Sequence, residues 1–187
     1  VIEETGRKEV HLPGDISSPD YAKSLVAAAI REFGHLDIVV NNAGFQMTHD
    51  SIEEIPSEEF EHTFRTNVFG TFFLTQAALP KMKPGASIIN TTSIQAFEPG
   101  EQLIAYAATK AAIANMTKSL AKLAGKQGVR VNAVAPGPVW TPLIPSTMPA
   151  AKVKSFGENT LFKRPAQPIE LAKLFVFLAS ADASYVS

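Results

Sequence analysis

The chain has 187 residues, of which 45% are apolar and 19% charged, enough to bury a substantial core and most simply to make one domain. Its 17 basic and 18 acidic residues are spread along the chain for a net charge of −1, so no basic patch marks a nucleic-acid or anionic-membrane partner. There is no cysteine, hence no disulfide or thiolate site, and His11, His35, His49 and His62 never occur at metal-ligand spacing, so no metal is expected. The apolar runs LVAAAI and LFVFLA are too short to span a bilayer, and no basic-then-apolar signal opens the chain. A soluble, cytoplasmic protein is expected.

In chain order, VIEETGRK reads as the polar end of a helix, and EVHLPGD at 9–15 as a strand. A helix follows, with Ser18 as N-cap, Pro19 in the first turn and Gly34 as its stop. LDIVVNNAG at 36–44 is the next strand. The helix over 57–82 carries acids early and lysines late, as its dipole favours. SIINTTS at 87–93 is a third strand, 103–127 a third helix ended by Gly128, and VRVNAVAPG at 129–137 a fourth strand. Five prolines, Pro138, Pro142, Pro145, Pro149 and Pro165, make 138–168 irregular, and such a loop often covers a site. A last helix, PIELAKLFVFLAS, begins at Pro168. Strands alternating with helices of this length predict an α/β fold: a doubly wound parallel sheet with helices on both faces.

Ligands of such sheets sit beyond the carboxyl ends of the strands. Those ends read Asp15; Asn41, Asn42, Ala43 and Gly44; Thr91, Thr92 and Ser93; Pro136 and Gly137. Each glycine, taken alone, is also a plain turn residue. On the 103–127 helix Tyr106 and Lys110 are four residues apart, which stacks phenol and ammonium on one face. A free tyrosine has a pKa of about 10, and a cation within a few ångströms lowers such a value by about 1–3 units, so Lys110 is expected to bring the phenol towards use as a base. A solvated surface pair is the alternative.

Taken together and in order, NNAG at 41–44, Asn67 in a helix, Ser93, Tyr106-x-x-x-Lys110, and Pro136-Gly137 followed by Thr141 resemble the short-chain dehydrogenase/reductase family. The resemblance runs from Asp15 to about Ser180, and it implies a Rossmann-like fold and hydride exchange between NAD or NADP and a carbonyl or secondary alcohol. It implies that Tyr106 passes the proton, Ser93 orients the reacting oxygen, Lys110 tunes Tyr106 and grips the nicotinamide ribose, and Asn67 completes a proton relay through a locally opened helix. Without the resemblance, Asn67 reads equally well as a solvent-facing residue. It further implies cofactor contacts at Asp15 and Ile16 for adenine, and at Asn42, Ala43 and Gly44 beside the adenosine ribose. Pro136, Gly137, Val139 and Thr141 are implied for the nicotinamide. Asp15 also fits the N-cap of a turn, and Asn41 a tie between neighbouring strands. A catalytically silent sensor or scaffold of the same fold is the rival, and the intact tyrosine and lysine speak against it.

Trp140, Leu143, Met148, Phe156, Leu161 and Phe162, joined by Gln95 and Phe97, are expected to line a partly apolar substrate pocket, though plain packing of a long loop explains any one of them as well. Phe60, Phe64, Val68 and Phe72 form one stripe of the 57–82 helix, and Phe69, Phe73, Ala77 and Leu79 widen it, so this helix needs a partner besides the sheet. With the alanine-rich 103–127 helix it suggests a homodimer or homotetramer. Relative to the family the chain looks truncated at both ends: residues 1–187 would be a partial domain without the glycine-rich unit that holds a pyrophosphate, and so a weak cofactor binder by itself.

Overall fold

The computed structural model describes residues 3–187. Val1 and Ile2, which open the expected helix end at VIEETGRK, lie outside the described residues, and Glu3–Thr5 make one 3-10 turn.

Helix α1, Pro19–Phe33, starts and stops where its sequence says it should. The Ser18 hydroxyl accepts the Tyr21 N–H at 3.2 Å. Gly34, at φ 83°, donates its own N–H to the Ile30 carbonyl and ends the helix in the left-handed conformation that glycine alone adopts without strain. Strand β1, Ile38–Asn41, leads through helices α2, Ser57–Phe64, and α3, Gly70–Ala78, to strand β2, Ser87–Thr91. Helix α4, Ile104–Gly125, joins β2 to strand β3, Arg130–Val134. The sheet order is β1-β2-β3, all parallel, with Asn41 opposite Asn90 and Thr91 opposite Val134.

Alternation along β2 separates two cores. Ile88 faces a cluster with Val26, Val39, Ala78, Met82 and Val131, between the sheet and the helices α1, α3 and α4. Its neighbour Ile89 points the other way, onto Val134 and Leu178 with Leu171 and Phe175. Those last three belong to helix α7, Pro168–Ala179, which covers the second face. Helices on both sides of a parallel sheet bear out the doubly wound α/β reading. A polar thread runs through this apolar interior: Asn41 Nδ2 donates to Asn90 Oδ1 at 2.8 Å, and Asn90 Nδ2 to Thr117 Oγ1 at 2.9 Å. Asn41 is thus the strand tie its position suggested, and each buried amide finds partners.

The structure corrects three expectations. Residues 9–15 are not a strand, because among the described residues no neighbour gives their N–H and C=O groups a ladder; the Tyr21 hydroxyl on the Leu12 carbonyl and the bonds of Asp15 to Ser17 and Ser18 tie them instead. The helix over 57–82 is not uniform: Arg65–Phe69 form a π-helical turn between α2 and α3. The stretch from 138 to 168 is not wholly irregular, for it carries helices α5, Leu143–Thr147, and α6, Ala150–Lys154, started by Pro142 and Pro149. Its two ends are pinned together, Trp140 N–H to Ala166 O at 2.8 Å and Ala166 N–H to Pro138 O at 2.9 Å, so the segment is a closed flap rather than a loose linker.

Candidate active site

The carboxyl ends of all three strands open on one cavity of about 590 Å³, roofed by the flap and backed by α4. Ser93, Tyr106 and Lys110 all line it. So do Asn42, Ala43 and Gly44 from β1, and Pro136, Gly137, Val139 and Thr141 after β3.

Each position follows from local structure. Ser93 leaves β2 at φ −162°, and its hydroxyl caps the 3-10 turn Ile94–Ala96 by accepting the Gln95 N–H at 3.2 Å. The hydroxyl proton is left for another acceptor. One turn apart on α4, Tyr106 and Lys110 face the same way, and Lys110 Nζ stands 5.4 Å from the centre of the phenol ring. Lys110 is only 3% exposed, and its ammonium donates to the Thr91 carbonyl at 2.8 Å, so the end of β2 holds the charge in place. The Thr92 hydroxyl binds the Lys110 carbonyl at 2.7 Å and locks that turn of α4 to the strand.

Burial governs the electrostatics. It pulls the Lys110 amine down to about 8, because the charged form loses water. The same burial pushes the Tyr106 phenol above its ordinary value, while a hydrogen bond with the Ser93 side chain works in the opposite sense. In the protein alone, desolvation of the phenolate is the larger of these two effects on Tyr106.

Asn67 lies behind the cavity wall, fully buried at the π-helical turn. Its amide makes a two-way clasp with Phe45, accepting the N–H at 2.7 Å and donating to the C=O at 2.9 Å, and it also donates to Thr109 Oγ1 at 2.9 Å. Thr109 in turn donates to the Tyr106 carbonyl. The solvent-facing alternative fails, and the opened helix is present. Gly44 separates Asn67 from Lys110: a Cβ there would stand 3.7 Å from both Asn67 Oδ1 and Lys110 Nζ.

Other candidates fall differently. Asp15 stands off the wall of this cavity; its carboxylate binds the Ser17 N–H at 2.9 Å and hydroxyl at 2.8 Å, as the turn alternative had it, and these bonds hold its pKa below the usual range. Ile16 packs on Gly70 and lines a separate hollow of about 50 Å³ that shares Asn42 and Ala43 with the main cavity. Neither Gly44 nor Gly137 has a positive φ, so neither position draws on glycine's conformational freedom. From the expected substrate wall, Leu143, Met148, Phe156 and Gln95 are present. Leu161, Phe162 and Phe97 are 97%, 83% and 61% exposed and lie elsewhere, while Trp140 packs behind Phe156. Sequence reading missed Gln46, Leu103, Ile144, Leu171 and Phe175, all on the wall. The i, i+4 spacing of Leu171 and Phe175 marks one helix face, but only the fold tells that the face meets this cavity.

A family model described as Enoyl-(Acyl carrier protein) reductase matches residues 1–187. The chain belongs to the short-chain dehydrogenase/reductase family. It is 50% identical over 188 residues to an uncharacterized oxidoreductase of Escherichia coli, YghA, covering 100% of this chain and 64% of that protein. A short chain dehydrogenase from Burkholderia cenocepacia, solved in complex with NADP, superposes with a TM-score of 0.92 at 27% identity, over 100% of this chain and 75% of the other. A 3-ketoacyl-(acyl-carrier-protein) reductase from Brucella melitensis, complexed with NADH, gives a TM-score of 0.84 at 31% identity, over 93% and 72%. The chain thus spans about 64% of the length of the first curated relatives it matches.

Proposed function

We propose that the protein is an NAD- or NADP-dependent oxidoreductase that interconverts a carbonyl and a secondary or primary alcohol. The observation that carries this reading is the convergence of Ser93, Tyr106 and Lys110 on one cavity. A bound reduced nicotinamide would supply the hydride to the carbonyl carbon. The chain's own residues handle the oxygen. The Ser93 hydroxyl, oriented by the Gln95 N–H that it accepts, donates to the carbonyl oxygen and stabilises charge as it builds there. Tyr106, kept protonated by burial, gives that oxygen its proton; in the reverse direction it takes the proton from the alcohol. Lys110, fixed by Thr91, presents its other ammonium protons to the cavity and stabilises the phenolate that forms.

The residues present fit the nicotinamide half of such a cofactor. Lys110 would hold ribose hydroxyls, Asn42, Ala43 and Gly44 the adenosine-ribose side, and Pro136, Gly137, Val139 and Thr141 the carboxamide. Asp15 and Ile16 remain the proposed adenine side, and Ile16 lines the hollow that adjoins Ala43. Asn67 is proposed to serve the proton relay by shaping the turn and the Phe45 backbone. Among the described residues no helix is long and apolar enough to cross a membrane. The proposed setting is cytoplasmic, with assembly through 57–82 and 103–127. The test is a panel of aldehydes and ketones offered to the whole protein with NADH and with NADPH. Substrate-dependent loss of nicotinamide absorbance is expected with one of them, and none with either would end this reading.

A further inference from the structure

The flap is fastened to the rest of the molecule at its base and at one point of its roof. The base is the pair of backbone bonds that join Pro138 and Trp140 to Ala166, followed by the Arg164 guanidinium on the Glu170 carboxylate at the start of α7. Beyond the base, among the described residues, the hydrogen bonds of 141–163 stay within the flap except two, and both of these end on Thr147, the last residue of α5. Gln46 Nε2 donates to the Thr147 hydroxyl at 2.9 Å, and the Thr48 hydroxyl donates to the Thr147 carbonyl at 3.1 Å. A helix end leaves such a carbonyl without a donor of its own. The Thr147 hydroxyl gives its proton to the Leu143 carbonyl at 2.7 Å and keeps a lone pair for Gln46.

The two donors stand on fixed ground. From Phe45 to His49 the chain turns alternate residues to opposite sides, Gln46 and Thr48 to the flap, Phe45 and His49 to α2 and the π-helical turn. Asn67 clasps the Phe45 backbone, the Phe45 ring meets the His62 ring edge-on at 4.6 Å, and His49 Nε2 pairs with Glu59 Oε1 at 2.8 Å. On the flap's side, Leu143, Ile144 and Met148 line the cavity of Ser93 and Tyr106, whereas neither Thr48 nor Thr147 is part of its wall. A molecule in the cavity is shut in or let out as those three side chains lower or lift. One net hydrogen bond shifts such a balance on the order of fivefold.

We propose that Gln46 and Thr48 are positioning residues that latch the flap shut at Thr147, so that this point, rather than the base, sets how long the cavity keeps a bound molecule. The latch is independent of the oxidoreductase reading; its effect on turnover rests on that reading.

Hydrogen–deuterium exchange of the whole protein reads the latch through the Met148, Lys152 and Val153 amides, which are bonded inside the flap. Helices of 5 residues, such as α5 and α6, do not persist once lifted off the body, so opening exposes these amides. Thr48→Val and Gln46→Met should each speed their exchange on the order of fivefold and leave the amides of β2 unchanged, while Thr48→Ser, which keeps the hydroxyl, stays near the wild type. Flap exchange within about twofold of the wild type in both variants would overturn the latch. Equal acceleration in β2 would do the same by making these residues supports of the whole fold, as would Thr48→Ser exchanging as fast as Thr48→Val. With whichever aldehyde or ketone of the panel is turned over, Thr48→Val should raise KM on the order of fivefold with kcat unchanged or higher. A lower kcat at unchanged KM would overturn the proposal, because Thr48 reaches the substrate only through the flap. Absence of turnover with any carbonyl and either nicotinamide would remove the oxidoreductase reading alone, and the exchange rates then decide the latch.

Discussion

Lys110 is the residue whose environment is most at odds with its chemistry. Folding withdraws its ammonium from water and lowers its pKa from 10.5 to about 8, so between those values the unfolded chain binds a proton that the folded chain does not. Stability therefore rises as pH goes from about 8 towards 10.5, and the cost of the buried charge, about 3 kcal/mol, is fully felt below that window. Tyr106 acts in the opposite sense only above its ordinary value of 10.0, where the folded state keeps a proton that the unfolded one releases. Chemical denaturation at pH 7 and at pH 9.5 should show the wild type gaining more stability between them than Lys110→Met does. Equal gains would mean that the amine is hydrated in solution. The pair's spacing was legible in the sequence because a helix puts every fourth residue on one face. The sign of the tyrosine shift was not, since it depends on how much water the fold removes, and no spacing encodes that.

At the scale of elements, the π-helical turn at Arg65–Phe69 determines how the site is backed. An asparagine amid RTNVF is a poor helix residue, and the turn lets its amide satisfy the Phe45 backbone just past β1. Asn67→Leu would leave that N–H and C=O without partners in the interior, at a cost of about 2–4 kcal/mol measured by urea denaturation. A loss under about 0.5 kcal/mol would show that the clasp is dispensable. Helices α1, α4 and α7 and strands β1, β2 and β3 were legible from periodicity and caps, Ser18, Gly34 and Gly128 among them. The 9–15 segment was misread because its alternation is strand-like while a strand also needs a neighbour, a non-local condition. The short helices α5 and α6 were hidden by the prolines at their starts, Pro142, Pro145 and Pro149, because a helix's first turn tolerates proline where its interior does not.

For the whole molecule, the apolar residues left outside are informative. Phe60 on α2, Phe69 on the π-helical turn and Phe72 on α3 are about 40% exposed, and Leu123 on α4 is 52% exposed. Ala77 and Leu79, expected to widen this surface, belong instead to the core against the sheet. Three half-exposed phenylalanines along one helical ridge fit a second copy of the chain, and light scattering of the whole protein should give a dimer or tetramer that Phe72→Glu dissociates. An unchanged mass for that variant would remove these helices from the interface. Which face needs covering was partly legible in the sequence; which residues turn inward depended on the π-helical turn, which shifts the register of everything after Asn67.

In the proposed reaction a protonated phenol, placed by α4 beside Ser93 and Lys110, completes a hydride transfer by donating its proton. Tyr106→Phe removes one oxygen from a half-buried side chain and leaves the cavity's shape. Steady-state reduction by that variant of the whole protein, with nicotinamide binding followed in parallel by fluorescence, should show turnover lower by about 10²–10⁴-fold with binding retained. Turnover within about twofold of the wild type would contradict the account.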